Sequence, residues 1–263
     1  MSRGGDGRSV TAKVLAILSV FESGRSSVSL TEIAVHADLS LPTAHRLVGE
    51  LASWGALERD EGGAYSVGLR LWEIAQQASR QLREASRPYL QDLFSLTNEN
   101  THLVIREGDE ALYIDRIYSS KRVPRASRVG GRLPLHATAV GKVLLAYEER
   151  WMQEAYVARG LAAVTPKTVV RPQRLLDELA SIRERGFATT YEEVRIGTCS
   201  IAVPVIVADG SAPAAIGLAM HSSQADQMPR HLPTLRGTAA RIAPAVNRWA
   251  KSAEAAGQQR ATD

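Results

Sequence analysis

The chain has 263 residues, 44% of them hydrophobic and 23% charged, and its apolar runs are shorter than the roughly 18 residues that a membrane-spanning helix needs. One cysteine, Cys199, excludes an internal disulfide framework, and the first ten residues lack the apolar core of a secretory signal, so we expect a cytoplasmic protein with no membrane partner. The net charge of +4 is unevenly spread, since residues 1–68 hold six Lys or Arg against eight Asp or Glu, so bulk charge alone does not indicate nucleic acid.

Three short helices are predicted near the amino terminus, after a disordered segment at residues 1–9. Apolar residues recur at helical spacing from Val10 until Gly24. Ser29 or Thr31 can cap a second helix, and a turn at residues 37–40 leads to the third. Two short strands around a turn at residues 60–63 then predict a β-hairpin.

The third helix has two different sides. Ser40 is its predicted N-cap, and Pro42 is tolerated because first-turn amides lack intrahelical partners. One side of the helix is apolar and is expected to pack inward, and it comprises Leu41, Ala44, Leu47, Val48, Leu51 and Trp54. The opposite side centres on Pro42, Arg46 and Gly49.

Beyond the hairpin, residues 69–83 predict a linker helix, and Pro88 is expected to interrupt the helical pattern that follows it. Residues 84–250 predict an α+β domain with a mostly antiparallel sheet, which ends in a helix from about Pro229 to Ala250. Residues 251–263 are predicted to be a disordered tail.

Three helices and a hairpin are the parts of a winged helix-turn-helix, whose third helix enters the major groove of double-stranded DNA. Arg46 is then expected to contact a guanine or a phosphate, and Gly49 permits close approach. The full expected DNA-binding set is Ser40, Pro42, Thr43, His45, Arg46, Gly49 and Arg59. Three amphipathic helices could also form a protein-interaction bundle, an alternative that the negative local charge favours.

The segment "TAKVLAILSVFESGRSSVSLTEIAVHADLSLPTAHRLVGEL" resembles the DNA-binding domain of IclR-type bacterial transcriptional regulators. The resemblance continues through "YSVGLRL", "LPLHATAVGKVLLA" and "RERGFATTYEEVRIGTCSIAVPVIVADGSAPAAIGLA", and spans residues 10–250. It implies an α+β fold with an N-terminal winged helix-turn-helix, a linker helix and a C-terminal GAF-like effector-binding domain. It also implies a homodimer or a dimer of dimers, a palindromic operator and a small-molecule effector.

An enzyme is the weaker hypothesis for the second domain. Cys199, Thr138, Ser200 and Lys142 are the candidate nucleophiles, but none has a base at motif spacing, and Cys199 lies within an apolar strand. Metal-ligand spacings such as CxxC are absent, so we expect no metal and no cofactor. A catalytic domain attached to a DNA-binding domain stays as an alternative.

An effector pocket explains the same segment better. The loop-to-helix transition near Thr138 leaves amides that can receive a carboxylate. The resemblance implies that further segments border the cavity. Together with the loop-to-helix transition, they give the expected effector-binding residues: His136, Thr138, Ala139, Val140, Gly141, Thr190, Glu192, Cys199, Gly217 and Ala219.

Three positions depart from the pattern of the resembling family. Thr190 stands where relatives often have aspartate, and Gly217 and Ala219 stand where they often have serine. We therefore expect a roomier and less polar pocket for a small organic acid, aromatic rather than a keto acid.

Several residues of the second domain keep two interpretations. Glu192 and Glu193 could be solvent-facing charges or a structural salt bridge, Lys142 could be a surface lysine, and Cys199 could be packing. The basic segment 116–132, with six Lys or Arg and no acid, is either a solvated loop or a means of attracting anionic effectors or flanking DNA.

Overall fold

The structure, a computed structural model, describes residues 8–23, 25–75, 80–118 and 128–262. The chain divides into two compact units, Met1–Ala78 and Ser79–Asp263. The prediction of a single linker helix at 69–83 is wrong at its carboxyl end, because residues 80–83 belong to a helix of the second unit and Leu82 is fully buried in that unit's core.

The first unit is a winged helix-turn-helix, as predicted. Its elements are α1 (Val10–Val20), a 3-10 turn (Phe21–Ser23), α2 (Leu30–His36), α3 (Leu41–Trp54), β1 (Leu57–Arg59), β2 (Tyr65–Val67) and α4 (Leu69–Ala75). β1 and β2 pair antiparallel, and Leu57 lies opposite Val67. Residues from all three helices and the hairpin share one core, which includes Ile17, Ile33, Leu47 and Tyr65.

Local signals explain where α2 and α3 begin and end. Ser29 and Glu32 form a capping box at the start of α2, in which each side chain binds the other's backbone amide. Asp38 adopts a left-handed φ of 52° in the turn between α2 and α3. The left-handed Gly55, with a φ of 87°, ends α3.

Two expectations about this unit are wrong, one about the ends of α3 and one about the start of the chain. Leu41 and Trp54 were placed on the buried side of α3, but they lie in its first and last turns and are 50% and 44% exposed. Residues 8 and 9 were expected to be disordered. Instead, Ser9 caps α1, and Arg8 donates to the carbonyl oxygens of Ala37 and Asp38. Residues 1–7, with the rest of the predicted disordered segment, lie outside the described residues.

The second unit contains a six-stranded antiparallel sheet with strand order β5-β4-β3-β8-β7-β6. Its strands are β3 (Asn100–Glu107), β4 (Glu110–Ile117), β5 (Arg132–Pro134), β6 (Ala188–Tyr191), β7 (Thr198–Val205) and β8 (Ala214–His221). Its helices are α5 (Arg80–Thr97), α6 (Ala139–Ala146), α7 (Arg150–Ala158), α8 (Pro172–Arg185) and α9 (Leu232–Thr262), with 3-10 segments at Leu135–Ala137 and Ser222–His231.

Helices cover both faces of this sheet. Alternate strand residues point to opposite faces, so Leu103 and Ile201 pack with α5 and α9, whereas Val104 and Ala202 pack with α6 and α8. The α+β fold class is therefore as predicted, while the short edge strand β5, which begins at the last residue of the basic segment, was missed.

Two helix boundaries differ from the prediction. α5 runs through Pro88 without interruption, because burial of Leu82, Leu90 and Leu93 on the sheet offsets the backbone hydrogen bond that proline lacks. α9 extends to Thr262, so the predicted disordered tail at 251–263 is helical over 251–262, where Ala, Glu, Lys and Gln are strong helix formers. None of the helices in the described part of the chain has the length and apolarity to cross a bilayer.

Candidate DNA-binding surface and effector pocket

The side of α3 that was predicted to face DNA is exposed. Pro42, His45, Arg46 and Gly49 are open to solvent, and Thr43 is half-buried. A Cβ added at Gly49 would meet no atom within 4 Å, so a flat, unobstructed strip of helix is presented at that position. The helix therefore has the shape that a major groove about 12 Å wide admits.

The polar groups at the front of α3 have specific partners. Ser40 stands at the N-cap position as predicted, but its hydroxyl pairs with Thr43 Oγ1 at 2.9 Å and does not cap the helix. Arg46 Nη1 lies 2.6 Å from Glu50 Oε1, and both side chains are more than half exposed. Such an exposed i,i+4 pair contributes about 0.3–0.5 kcal/mol, so a phosphate or guanine can displace Glu50 at little cost.

Arg59 and Arg70 are two other exposed arginines of this unit. Arg59, on the hairpin, has its guanidinium 5.8 Å from the centre of the Tyr65 ring and remains exposed, as its expected role requires. Arg70 borders the same open groove as Arg46, its guanidinium 4.4 Å from the Trp54 ring centre and 3.1 Å from the Trp54 carbonyl oxygen. No motif in the sequence indicates Arg70, because its contact with Trp54 joins residues from two helices.

In the second unit, a pocket lies between the start of α6 and the sheet. The empty space among its lining residues, including solvent at its mouth, is about 520 Å³, of which about 30 Å³ can hold the centre of a water-sized sphere, so the enclosed part is narrow. The lining residues are Asn100, His102, Tyr113, Arg116, Leu133, Thr138, Ala139, Val140, Thr190, Glu193, Val194, Thr198, Ser200 and Ala219. The structure thus brings together five of the ten expected effector-binding residues: Thr138, Ala139, Val140, Thr190 and Ala219.

The strand register sets the floor of this pocket. One row of neighbouring residues crosses the sheet as Thr190, Ser200, Ala219 and Asn100, from β6 to β3. The next row runs Ala202, Gly217, His102 and Arg116, from β7 to β4. With strands about 4.8 Å apart, the first row spans about 14 Å, which suits an elongated small molecule.

The ceiling is the first turn of α6. Thr138 Oγ1 accepts from the Gly141 amide at 2.9 Å, and the amides of Ala139 and Val140 belong to the turn where intrahelical acceptors do not exist. Gly141 itself is required for packing, since an added Cβ would lie 2.3 Å from the Leu135 carbonyl oxygen. It was expected at the effector and instead lets α6 pack against the preceding turn.

Cys199 was also expected in the pocket, and this prediction is wrong. Strand alternation places it on the opposite face of the sheet, in the core with α5 and α9, and its Sγ donates to the His221 carbonyl oxygen. Burial, with smaller contributions from the carboxylates of Glu99 and Asp226, raises the pKa of Cys199 to about 11, so the thiol is inert packing. Its neighbour Ser200 lines the pocket instead.

His136 and Glu192 likewise lie outside the lining. His136 is buried, with Nδ1 2.8 Å from the Tyr156 hydroxyl and Nε2 2.9 Å from the Ala162 carbonyl oxygen, so both ring nitrogens are occupied by protein. Glu192 adopts a left-handed φ of 56° and its Oε1 accepts from the Gly197 amide, which closes the loop between β6 and β7. Both residues are structural.

Gly217 lies beside His102 in the sheet beneath the pocket but is not itself a lining residue, and the space above it is already filled. A Cβ there would stand 2.8 Å from His102 Nε2, 3.0 Å from the Ile201 carbonyl oxygen and 3.1 Å from Val140 Cγ1. The imidazole of His102 therefore occupies the space that a serine side chain would need. Two polar side chains that the sequence did not indicate, His102 and Arg116, also line the pocket.

His102 is held neutral. Burial, and next the charge of Arg116, lower the pKa of His102 to about 3. Its ring packs against Tyr113 with centroids 5.4 Å apart, and Nδ1 has no hydrogen-bond partner among the described residues. A buried polar atom of this kind is costly unless a ligand satisfies it.

Arg116 supplies positive charge at the β4 end of the pocket. It is 7% exposed, and its guanidinium lies 5.5 Å from the Tyr113 ring centre and 4.8 Å from that of Tyr118. Arg116 begins the basic segment, but residues 119–127 lie outside the described residues. The two interpretations of the segment as a whole therefore stay open.

At the β6 end, the pocket wall contains a buried ionic cluster. Lys142 Nζ is fully buried and lies 2.9 Å from both carboxylate oxygens of Glu193 and 2.9 and 3.0 Å from those of Glu178. The alternative that Lys142 is a surface residue is wrong, and Glu193 forms a structural salt bridge that also borders the pocket. Burial raises the pKa of Glu193, against the opposing effect of Lys142.

Known proteins with this arrangement are regulators. A family model described as the IclR helix-turn-helix domain matches residues 10–61, and one described as the C-terminal domain of bacterial transcriptional regulator IclR matches residues 75–244. The chain belongs to the IclR family of bacterial transcriptional regulators. The regulator XynR of Escherichia coli is 33% identical over 222 residues, 81% of this chain and 86% of that protein. The repressor AllR of the same species is 31% identical, over 80% of this chain and 79% of its own.

Solved structures of IclR-family proteins share the architecture. An IclR homologue from Microbacterium hydrocarbonoxydans, in complex with 4-hydroxybenzoate, superposes with a TM-score of 0.84 at 30% identity, covering 90% of this chain and 98% of its own. The IclR of Thermotoga maritima superposes with a TM-score of 0.74 at 28% identity, covering 89% and 97%. This IclR-family chain is thus a DNA-binding regulator with an effector domain, and not an enzyme. In the described residues, no group of three or more His, Cys, Asp or Glu could hold a metal ion.

Sequence reasoning missed one side of the pocket. Asn100, His102, Tyr113 and Arg116 come from β3 and β4, whose residues precede every quoted effector motif of this IclR-family chain. The period of two in an extended strand is the signal that could have indicated two of them, since Asn100 and His102 stand two positions apart in the predicted strand and must share one face.

Proposed function

We propose that this protein binds a palindromic operator as a homodimer or dimer of dimers, and that a small aromatic acid in the pocket of the second unit controls the binding. Arg46 contacts a guanine or phosphate from α3, and Arg59 contacts a phosphate from the hairpin. The observation that supports the DNA contact is the open, unobstructed strip of α3 around Gly49, with Arg46 held only by an exposed ion pair.

A gel shift with the DNA upstream of the encoding gene tests the contact. Arg46→Ala is expected to weaken operator binding by about 1–3 kcal/mol, because a bidentate base contact has that value. Glu50→Gln is the matched control: it removes the same ion pair but leaves the guanidinium, and its affinity should equal or exceed that of the wild type. Equal losses in the two variants would show that the ion pair, and not the arginine, supports binding.

An aromatic acid is supported by the chemistry of the pocket. Arg116 and the first-turn amides of α6 favour an anion, while the ring of Tyr113 and the side chains of Leu133, Val140 and Val194 provide apolar walls. The similar regulator solved with 4-hydroxybenzoate supports the same class. Glu193 opposes an anion, but both its carboxylate oxygens are paired with Lys142.

Calorimetric titration of the full chain with benzoate, hydroxybenzoates, glyoxylate and pyruvate tests the class. The aromatic acids are expected to bind, and the ones that bind should shift operator affinity. By linkage, the operator must change effector affinity by the same factor. Binding of the keto acids alone would refute the aromatic class.

Self-association is supported by α4. This helix has no buried residue, and Leu69, Trp72 and Ile74 are 67%, 59% and 52% exposed, which leaves three large apolar side chains around the helix in contact with water. A second copy of the chain would cover them and give two recognition helices for a two-fold symmetric site. Trp72→Glu should lower the native mass from the oligomer toward the monomer, and an unchanged mass would remove α4 from the interface.

A further inference from the structure

The register of β3 places one neutral hydrogen-bonding group at the centre of the pocket. His102 lies between Gly217 on β8 and Arg116 on β4, with Val140 of α6 above Gly217. It is 3% exposed, and its Nδ1 is unpartnered among the described residues. Within the described part of the chain, the hydrogen-bonding capacity of this buried nitrogen is therefore not used by the protein.

The groups around His102 can bind the carboxylate of an effector, so His102 itself is available for a different part of the molecule. The carboxylate of an acidic effector is attracted by the guanidinium of Arg116 and by the amides of Ala139 and Val140. The burial and the charge of Arg116 that keep the pKa of His102 near 3 prevent it from becoming a cation, so it cannot form an ion pair with that carboxylate. A neutral imidazole nitrogen instead pairs well with a hydroxyl group, which can both donate and accept.

We propose that His102, seated over Gly217, is a specificity-determining residue that hydrogen-bonds a phenolic hydroxyl of the effector. The inference rests on the proposed aromatic-acid pocket and adds which ring substituent is recognised and by which residue. Selectivity follows because a buried group built to bind a hydroxyl rejects the analogue that lacks it. The absence of a side chain at Gly217 is what allows the imidazole to reach this position.

Calorimetry on the full chain compares benzoate with 2-, 3- and 4-hydroxybenzoate. The wild type should bind the best hydroxybenzoate at least about tenfold more tightly than benzoate. His102→Phe keeps a flat ring and removes both nitrogens, so the two compounds should then bind within about twofold of each other. His136→Phe is the matched control: this histidine is also buried, but its nitrogens are occupied by Tyr156 and Ala162, so the variant should keep the tenfold ratio.

A measurement on the unsubstituted protein covers the case in which His102→Phe does not fold. The imidazole ¹⁵N resonances of His102 should shift when the best hydroxybenzoate is added, and benzoate should leave them unchanged.

The outcomes separate the two proposals. If wild type binds benzoate and every hydroxybenzoate equally, or if His102→Phe keeps the preference, the role of His102 is overturned while the aromatic-acid pocket stands. If none of these compounds binds, the aromatic effector class fails, and the role of His102 fails with it.

Discussion

Gly217→Ala is expected to destabilise the second unit, although alanine usually stabilises a strand relative to glycine. The added Cβ would stand 2.8 Å from His102 Nε2, closer than carbon and nitrogen approach without bonding, and 3.0 Å from the Ile201 carbonyl oxygen. The carbonyl belongs to the paired strand β7 and cannot move without breaking ladder hydrogen bonds. The imidazole of His102 must therefore shift.

The magnitude follows from two opposing contributions. Overpacking a filled site by one methyl costs about 1–3 kcal/mol. Replacement of glycine lowers the entropy of the unfolded chain and returns about 0.4–1 kcal/mol, since the φ of Gly217 is not in the left-handed region. The net loss has a midpoint of about 1.3 kcal/mol and an upper end of about 2.6 kcal/mol, and the midpoint lowers the melting temperature of a unit of this size by about 3–5 °C.

Differential scanning calorimetry on the full chain measures this change, and Gly49→Ala is the matched control. A Cβ at Gly49 meets no atom within 4 Å, so there the substitution should stabilise its helix by about 1 kcal/mol. His102→Ala in the Gly217→Ala background should recover part of the loss, because it removes the closest contact. The steric argument would be refuted if Gly217→Ala had the same melting temperature as the wild type, or if adding His102→Ala did not raise the melting temperature of Gly217→Ala.

Two other changes test the buried charges. Lys142→Met should destabilise the protein by about 3–5 kcal/mol, since it leaves Glu178 and Glu193 facing each other without a cation. Adding Glu178→Gln and Glu193→Gln should recover much of this loss. Urea unfolding measures the change, and a loss of less than about 1 kcal/mol for Lys142→Met would contradict the importance of the cluster. The pKa of His102 is lowered from 6.5 to about 3 in the folded protein, so below pH 6.5 the unfolded chain binds a proton that the folded protein does not. The free energy of unfolding therefore falls by about 1.4 kcal/mol per pH unit between pH 6.5 and 3, which is about 2 kcal/mol at pH 5. The unfolding free energies of the wild type and His102→Gln are compared at pH 7.5 and at pH 5, which separates this contribution from that of His136. If the difference between the two proteins is the same at both pH values, the contribution of His102 is excluded.

Local patterns predicted the first unit well. The spacing of apolar residues gave all three helices, and the turn residues gave the hairpin, because each of these elements depends on neighbours within a few positions. The position of Trp54 could not be predicted, because its ring packs against Arg70, 16 residues away on another helix, and not into the core of the unit.

The pocket was harder to predict for a topological reason. Thr138 and Val140 were found from a loop-to-helix signal, but Arg116 and His102 reach the same cavity only because β3 pairs with β8, more than 100 residues along the chain. Cys199 was misplaced by one position. In a strand, a shift of one residue moves a side chain to the opposite face, so Ser200 took its place.

Strand β3 gives the sheet a double role. His102 lines the pocket and Val104 packs with α6 on the same face, whereas Leu103 and Ile105 pack on the opposite face with Leu82 and Leu90 of α5. The residues of β3 that face the cavity and those that support α5, the first helix of the second unit, are therefore separated by a single layer of backbone.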